Sequence, residues 1–113
     1  MSDSTAAPTV ARLPSGTVTF LFTDVVGSTK LFQQHGDGFA HVLQGVRDAI
    51  RNAVEQAGGV VVGTEGDSTF AAFQAAAAGL CAAQSAQRAV AELSGVPAEV
   101  RIRAGLHLSL IHI

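Results

Sequence analysis

Residues 58–73 read GGVVVGTEGDSTFAAF, and this stretch decides the fold of the chain. Two runs rich in β-branched and aromatic residues, 60–62 and 69–73, are typical of β-strands. The polar segment 65–68 between them is short enough to be a hairpin connection. The stretch therefore predicts two neighbouring strands that run in opposite directions.

The segments on either side of this hairpin complete a regular pattern. Residues 17–23 are β-branched or aromatic almost throughout, which favours a central strand, and residues 99–108 alternate between apolar and polar positions as a half-buried strand does. Apolar residues recur at helical spacing over 39–53 and again over 75–93. The predicted order is β-α-β-β-α-β. That order is typical of an α+β, ferredoxin-like fold, with an antiparallel sheet and helices on one face.

The length of the chain, 113 residues, allows one domain at most. Residues 1–15 are small, polar and without periodicity, and we interpret them as a flexible N-terminal arm. The domain is predicted to begin near Gly16. Hydrophobic residues make up 48% of the chain, which is enough to bury a core at this length.

Composition argues against several classes of function. A net charge of -2 with scattered Lys and Arg gives no basic stripe, so we expect no nucleic-acid partner. The chain starts without signal-peptide features, and its longest apolar stretch, 70–83, is too short to span a bilayer. We therefore expect no membrane segment in this chain and a cytoplasmic location. The single Cys81 lies in an Ala-rich stretch, which predicts a buried, small apolar residue.

Two aspartates are the candidate functional residues. Asp24 follows the first predicted strand, and Asp67 lies in the hairpin turn. In the predicted topology the first and third strands are antiparallel neighbours, so both carboxylates share one edge of the sheet. Close carboxylates repel each other unless cations neutralise them, and Mg²⁺ prefers oxygen ligands of this kind. Ser28 and Thr29 follow as helix-capping hydroxyls at a helix start suited to phosphate.

Each of these features also has an ordinary structural explanation. Gly66 and Asp67 fit a common two-residue hairpin turn, and Asp24 is of a residue type that often starts a helix. For either aspartate alone, the structural explanation is the better one. Their joint placement at one sheet edge reverses this preference, and we interpret the pair as a metal and nucleotide site.

Three segments together resemble a known family. They are residues 22–29 (FTDVVGST), residues 58–73 quoted above, and residues 100–107 (VRIRAGLH). In order and spacing they resemble the class III adenylate/guanylate cyclase catalytic domain, and most of all its bacterial branch. The resemblance covers residues 16–107 and implies the same ferredoxin-like fold.

The resemblance implies roles for individual residues. Asp24 and Asp67 would be the catalytic metal ligands, holding two Mg²⁺ or Mn²⁺ ions, with the carbonyl of Val25 as a further ligand. Helix N-termini suit anions because their free amides and dipole point outward. The triphosphate of ATP or GTP would be received by backbone amides at Val25, Gly27, Ser28 and Thr29.

The implied activity is closure of a 3',5'-cyclic nucleotide with release of pyrophosphate, by a two-metal mechanism in intracellular signalling. In the family the active site forms between two protomers, so a homodimer is implied. The metal aspartates come from one protomer and an Asn and an Arg from the other.

The sequence departs from the family pattern at three places. Gly63 stands where many adenylate cyclases have a purine-reading Lys, and Ser68 follows the metal aspartate where a smaller residue is common. The family continues past the position of His107 with a strand and helix that carry the Asn and Arg. Residues 108–113 differ abruptly, and we expect a non-native tail, a partial catalytic domain over 16–107, and no cyclic product from this chain alone.

An alternative stays open: a catalytically inactive, cyclase-like module that binds nucleotide or dimerises within a larger regulator. Gly63 supports it because the expected Lys is absent. An aspartyl phosphatase is set aside because Val26 occupies the position of its second acid. A diguanylate cyclase is set aside because its hairpin needs an acidic pair after Gly-Gly, which residues 66–68 (GDS) do not supply.

Overall fold

A computed structural model of the chain describes residues 16–94, 97 and 100–111. The predicted arm and the last two residues of the predicted tail, including His112, lie outside these residues. The element order confirms the predicted fold and adds a short helix after the first strand. The elements are β1 (Gly16–Val25), α1 (Ser28–His35), α2 (Gly38–Gln56), β2 (Val60–Glu65), β3 (Ser68–Phe73), α3 (Ala76–Ala91) and β4 (Ile102–Ile111).

The four strands form one sheet in the order β2-β3-β1-β4, and all three neighbouring pairs are antiparallel. This is the order of a split βαβ unit, in which β1 takes a central place between β3 and β4. β4 pairs with β1 along its whole length, from Val25 opposite Ile102 to Gly16 opposite Ile111. Residues 108–111, which belong to the predicted tail, thus continue the last strand.

The helices pack on one face of the sheet and form the core there. Leu21 of β1 and Phe73 of β3 are almost fully buried on this face. α2 and α3 cover them with apolar residues spaced three or four apart, as an amphipathic helix requires. The helix residues in the core are Leu31 of α1, Phe39, Val42, Val46, Ile50, Ala53 and Val54 of α2, and Ala82, Ala83, Ala86 and Val90 of α3. Within the described residues, no helix combines the length and apolarity that a bilayer crossing requires.

The opposite face of the sheet carries three phenylalanines and is called here the open face. Phe20 and Phe22 of β1 project from it, and Phe70 lies directly opposite Phe22 on β3. The Phe22 ring centroid lies 6.4 Å from that of Phe20 and 5.5 Å from that of Phe70. The side chain of Phe22 is 41% exposed.

Two local expectations were wrong. Cys81 is exposed, not buried, because the core-facing positions of α3 include 79, 82, 83 and 86, and position 81 lies on the solvent side of the helix. Ser28 and Thr29 do not cap α1 with their hydroxyls. The N-cap is Gly27, which has φ 64°, a left-handed conformation that glycine adopts without a steric penalty.

Candidate functional site

Asp24 and Asp67 lie at the same edge of the sheet, as the topology predicted. Asp24 is near the C-terminal end of β1, and Asp67 is in the turn that leads into β3. The register pairs Thr23 with Thr69, so the two chain segments meet there. The backbone N–H of Val25 donates to Oδ2 of Asp67 at 3.1 Å. The carboxylate of Asp67 is therefore held against the residue that follows Asp24.

The turn that carries Asp67 has only two residues between the strands. Glu65 pairs with Ser68, leaving Gly66 and Asp67 as the central residues. Gly66 has φ 58° and Asp67 does not have a positive φ. Glycine at the first central position with this sign pattern is typical of a type II' hairpin turn. The Gly-Asp sequence thus fixes where the carboxylate leaves the backbone.

Asp24 forms an ion pair that the sequence did not predict. Arg103 of β4 lies directly opposite Asp24 in the sheet. Its Nε donates to Oδ1 at 2.9 Å and its Nη2 to Oδ2 at 3.1 Å. The hydrogen bond and charge of Asp24, with a further contribution from Asp67, raise the pKa of Arg103. Arg103 therefore provides a fixed positive charge that both aspartates experience.

The ion pair contributes little to stability, because the side chains of Arg103 and Asp24 are 70% and 36% exposed. Its value is geometric, since a two-point contact orients both groups. The alternation of residues 99–108 had placed Arg101 and Arg103 on the polar side of a strand. Only the register between β1 and β4 shows that Arg103 meets Asp24.

Two shallow cavities meet at the aspartates. The first, of about 280 Å³, lies on the open face. The second, also about 280 Å³, lies between α1, α2 and the hairpin turn. Asp24 borders the first and Asp67 the second, so the pair separates an aromatic surface from a helix N-terminus. The first is lined mainly by Phe22, Asp24, Ser68, Phe70 and Arg103, and the second by Ser28, Thr29, Phe32, Phe39, Gly66 and Asp67.

The start of α1 suits an anion. Gly27 turns the chain so that the first helical residues, Ser28 and Thr29, border the same cavity as Asp67. No acidic residue lies in the first turn, and no side chain caps it. Lys30 is exposed in that turn. The partial positive charge of the helix N-terminus is thus available beside Asp67.

The oxygen donors present are of the kind that Mg²⁺ or Mn²⁺ binds, although both oxygens of Asp24 accept from Arg103 in this structure. Within the described residues, no three His, Cys, Asp or Glu side chains lie close enough together to hold a metal ion by themselves. The protein offers two carboxylates and nearby backbone. Mg²⁺ commonly binds one or two carboxylates plus substrate phosphates and water, so this donor set is sufficient.

Two buried hydroxyls lie directly beside this edge. Thr23 and Thr69, which face each other across the strands, are both buried, and neither hydroxyl has a hydrogen-bond partner among the described residues. Buried hydroxyls normally find a partner. These two hydroxyls make this part of the helix-facing layer polar.

The Gly63 position lies on the open face. After an irregularity between Val61 and Gly63, residue 63 pairs with Phe70. Directly opposite residues share a face of the sheet, so a side chain at 63 would stand beside the aromatic cluster. A Cβ built there meets nothing within 4 Å. The absence of the expected Lys therefore leaves open space next to Phe70.

Residues 10–110 match the family model of the adenylate and guanylate cyclase catalytic domain. An uncharacterised protein of Mycobacterium tuberculosis is 38% identical over 101 residues, which cover 87% of this chain and 33% of that protein. The chain thus spans about a third of the length of the curated relatives it matches.

Solved structures show the same fold. An adenylate cyclase of Trypanosoma brucei in its monomeric state has a TM-score of 0.76 at 24% identity, covering 96% of this chain and 62% of that one. A dimeric guanylyl cyclase domain from the fungus Blastocladiella emersonii has a TM-score of 0.72 at 17% identity, covering 83% and 57%. By its match over residues 10–110, this chain belongs to the adenylate and guanylate cyclase catalytic domain family.

Proposed function

We propose that this chain supplies the metal and triphosphate half of a nucleotide cyclase site, which converts ATP or GTP to a 3',5'-cyclic nucleotide and pyrophosphate in intracellular signalling. The observation that carries the proposal is the hydrogen bond from Val25 N–H to Asp67, 3.1 Å long, which holds one carboxylate beside the backbone next to the other. Arg103 offsets the charge of Asp24, and a divalent ion bound there would balance the second negative charge, which Asp67 brings.

Asp24 and Asp67 would hold two Mg²⁺ or Mn²⁺ ions, together with the carbonyl of Val25. Bound there, divalent ions lower the pKa of the ribose 3'-hydroxyl and neutralise the triphosphate. The amides of Gly27, Ser28 and Thr29 would bind phosphate oxygens, because they lie at the N-terminus of α1 beside Asp67. The chain's own work is then to position the reactants and to balance charge.

Arg103 adds a positively charged side chain to the proposed site. Its guanidinium borders the open-face cavity with Asp24, so a nucleotide phosphate entering from that side meets a fixed cation. In the proposed reaction the 3'-oxygen forms a bond to the α-phosphorus and gives up its proton to solvent water. The bond from that phosphorus to the bridging oxygen breaks, and pyrophosphate leaves with the electron pair. The negative charge that develops on the phosphate oxygens is what Arg103 is placed to offset.

The choice of purine depends on the open face in this proposal. Gly63 offers no donor for a base, and the space above it is empty. The ring of Phe70, which lies opposite position 63, would be the adjoining surface for stacking. A purine held mainly by stacking is poorly discriminated, so we propose that selectivity between ATP and GTP comes from elsewhere.

The partner is proposed to be a second copy of the protein that packs on the open face. Phe22 is 41% exposed there and lies within the cavity that contains Asp24. A protomer seated on this surface would bury the rings and close the site from above. Aromatic anchors of this kind often dominate the binding energy of an interface.

A Phe22→Glu variant tests the partner surface. We expect it to weaken self-association of the full-length protein by at least about tenfold, since a buried carboxylate replaces a stacking ring. Sedimentation velocity over a range of concentrations measures this. Phe32→Glu is the control, because Phe32 is 58% exposed but lies on α1, away from the open face. Equal dimer dissociation constants for Phe22→Glu and the unaltered protein would rule this surface out.

Activity is tested on the complete protein that contains this chain, incubated with ATP or GTP and Mn²⁺. We expect cyclic nucleotide and pyrophosphate in equal amounts, resolved by chromatography. Nucleotide binding that requires Mn²⁺ but yields no cyclic product would favour the alternative, an inactive cyclase-like module. That alternative is supported by Gly63, which stands where a Lys is expected. If the protein neither binds nor converts either nucleotide, the proposed function is wrong.

A further inference from the structure

Arg47 connects the second helix to the turn that carries Asp67. Its Nη2 donates to the carbonyl oxygen of Gly66, across 19 positions of sequence. Gly66 is the residue immediately before Asp67, at the exposed tip of the β2-β3 hairpin. A charged side chain anchored on α2 thus forms a hydrogen bond to this tip from outside the hairpin.

Apart from the bond between Val25 and Asp67, the support of the tip comes from the hairpin strands themselves. β2 is the outer strand of the sheet, and its pairing with β3 is irregular between Val61 and Gly63. Outer strands with such irregularities are twisted and less constrained than central ones. Asp24 lies within the central strand β1, whereas Asp67 lies in the turn between the outer strand β2 and the inner strand β3. The relative position of the two carboxylates depends on whatever holds the tip.

α2 is a suitable anchor because its apolar side is buried in the core. Val46, the neighbour of Arg47, is 1% exposed, and Ile50 is 1% exposed one turn further on. The side chain of Arg47 extends from this helix to the hairpin tip, where it contacts Gly66. A hydrogen bond from a charged donor to a carbonyl is stronger than a neutral one.

The position of Arg47 carries a free-energy penalty that would not be expected if the side chain only filled space. Its Nε is buried and has no hydrogen-bond partner among the described residues. A buried donor left unpaired is unfavourable, and an apolar side chain of similar length would avoid it. Such local conflicts concentrate where a residue serves a site.

We propose that Arg47 is a positioning residue for Asp67: it fixes the Gly66–Asp67 turn to α2, so that Asp67 receives the Val25 N–H and stays beside Asp24. The proposed effect of Arg47 on the position of Asp67 rests on two hydrogen bonds, from Arg47 to Gly66 and from Val25 to Asp67. Its consequence for metal binding rests on the proposed function. Arg47 itself contacts no carboxylate and acts through the turn.

The test uses Arg47→Met, Arg47→Lys and the control Arg51→Met, which removes an exposed arginine from the same helix. Mn²⁺ affinity of the 113-residue chain is measured by electron paramagnetic resonance. Loss of a residue that orients a metal ligand typically weakens binding about tenfold or more, and we expect this for Arg47→Met. Arg47→Lys keeps a donor and should restore most of the affinity. Arg51→Met should bind as the unaltered chain does.

A second readout separates positioning from general destabilisation. Hydrogen exchange of the Val25 amide reports its bond to Asp67, and the Ile50 amide of α2 reports the fold. Arg47→Met should speed exchange at Val25 and leave Ile50 unchanged. Unchanged exchange at Val25 overturns the proposal. If the unaltered chain and Asp67→Asn bind Mn²⁺ equally, the metal assignment fails, and Val25 exchange alone still decides the role of Arg47.

Discussion

Replacing Asp24 or Asp67 by alanine is expected to lower the rate of cyclic nucleotide formation by the complete protein about a thousandfold or more. Each carboxylate is proposed to hold the divalent ions that neutralise the triphosphate. Losing roughly 4 kcal/mol of that charge stabilisation corresponds to a factor of about 10³ in rate. The rate of cyclic nucleotide production at saturating Mn²⁺ measures the effect, with either ATP or GTP as substrate.

Asp37→Ala is the matched control, because Asp37 is exposed before α2 and its side chain makes no capping hydrogen bond. It should keep nearly all of the activity. Circular dichroism of each variant shows whether the fold is intact, which matters because Asp67 accepts the Val25 N–H. If both Asp24→Ala and Asp67→Ala retain activity, these aspartates are not the catalytic metal ligands.

Phe73→Ala is expected to destabilise the fold more than any other single truncation of a phenylalanine in the described residues. Phe73 is 1% exposed at the end of β3, and a Cβ placed on Gly59 would run into its ring, so the surroundings are tightly packed. Removing such a ring typically costs about 3–5 kcal/mol through lost burial and the cavity left behind. Domains of this size are stable by only about 5–15 kcal/mol in total.

Urea unfolding followed by circular dichroism measures this difference. Phe32→Ala is the comparison: its ring is 58% exposed and packs only edge-on against Phe39, so a loss of about 1 kcal/mol or less is expected. Equal midpoints for the two variants would show that the core does not centre on Phe73.

The order of elements and the meeting of the two aspartates were predictable from sequence, because both follow from local patterns. Residues 58–73 contain a strand, a turn and a second strand in a form that admits one hairpin. Helical spacing over 39–53 then places a crossover before it. Once β1 and β3 are antiparallel neighbours, Asp24 and Asp67 must share an edge. The observed register, with Thr23 opposite Thr69, confirms this.

The partners of the aspartates were not predictable, because they depend on tertiary register. Arg103 meets Asp24 through the alignment of β4 with β1, which alternation alone does not fix. Arg47 reaches Gly66 only because α2 crosses the hairpin tip. Asp24 and Phe22 border the same cavity on the open face. The structure shows that Arg103 balances the charge of Asp24.

Residues at the ends of elements were the least predictable. Ser28 and Thr29 have side chains typical of helix caps, yet the chain turns through Gly27, whose left-handed conformation leaves both hydroxyls outside the cap. The same turn presents the α1 backbone toward Asp67. A hydroxyl cap would have occupied the amides that we propose for phosphate.

The most direct test of the central claim, that Asp24 and Asp67 form one metal site, is Mn²⁺ stoichiometry. Electron paramagnetic resonance counts the ions bound by the 113-residue chain with an ATP analogue that cannot cyclise. We predict two Mn²⁺ ions per nucleotide in the unaltered chain. Asp24→Asn and Asp67→Asn should each lose tight binding, since both carboxylates hold the same ions. If either variant binds Mn²⁺ as the unaltered chain does, the two aspartates do not form one site.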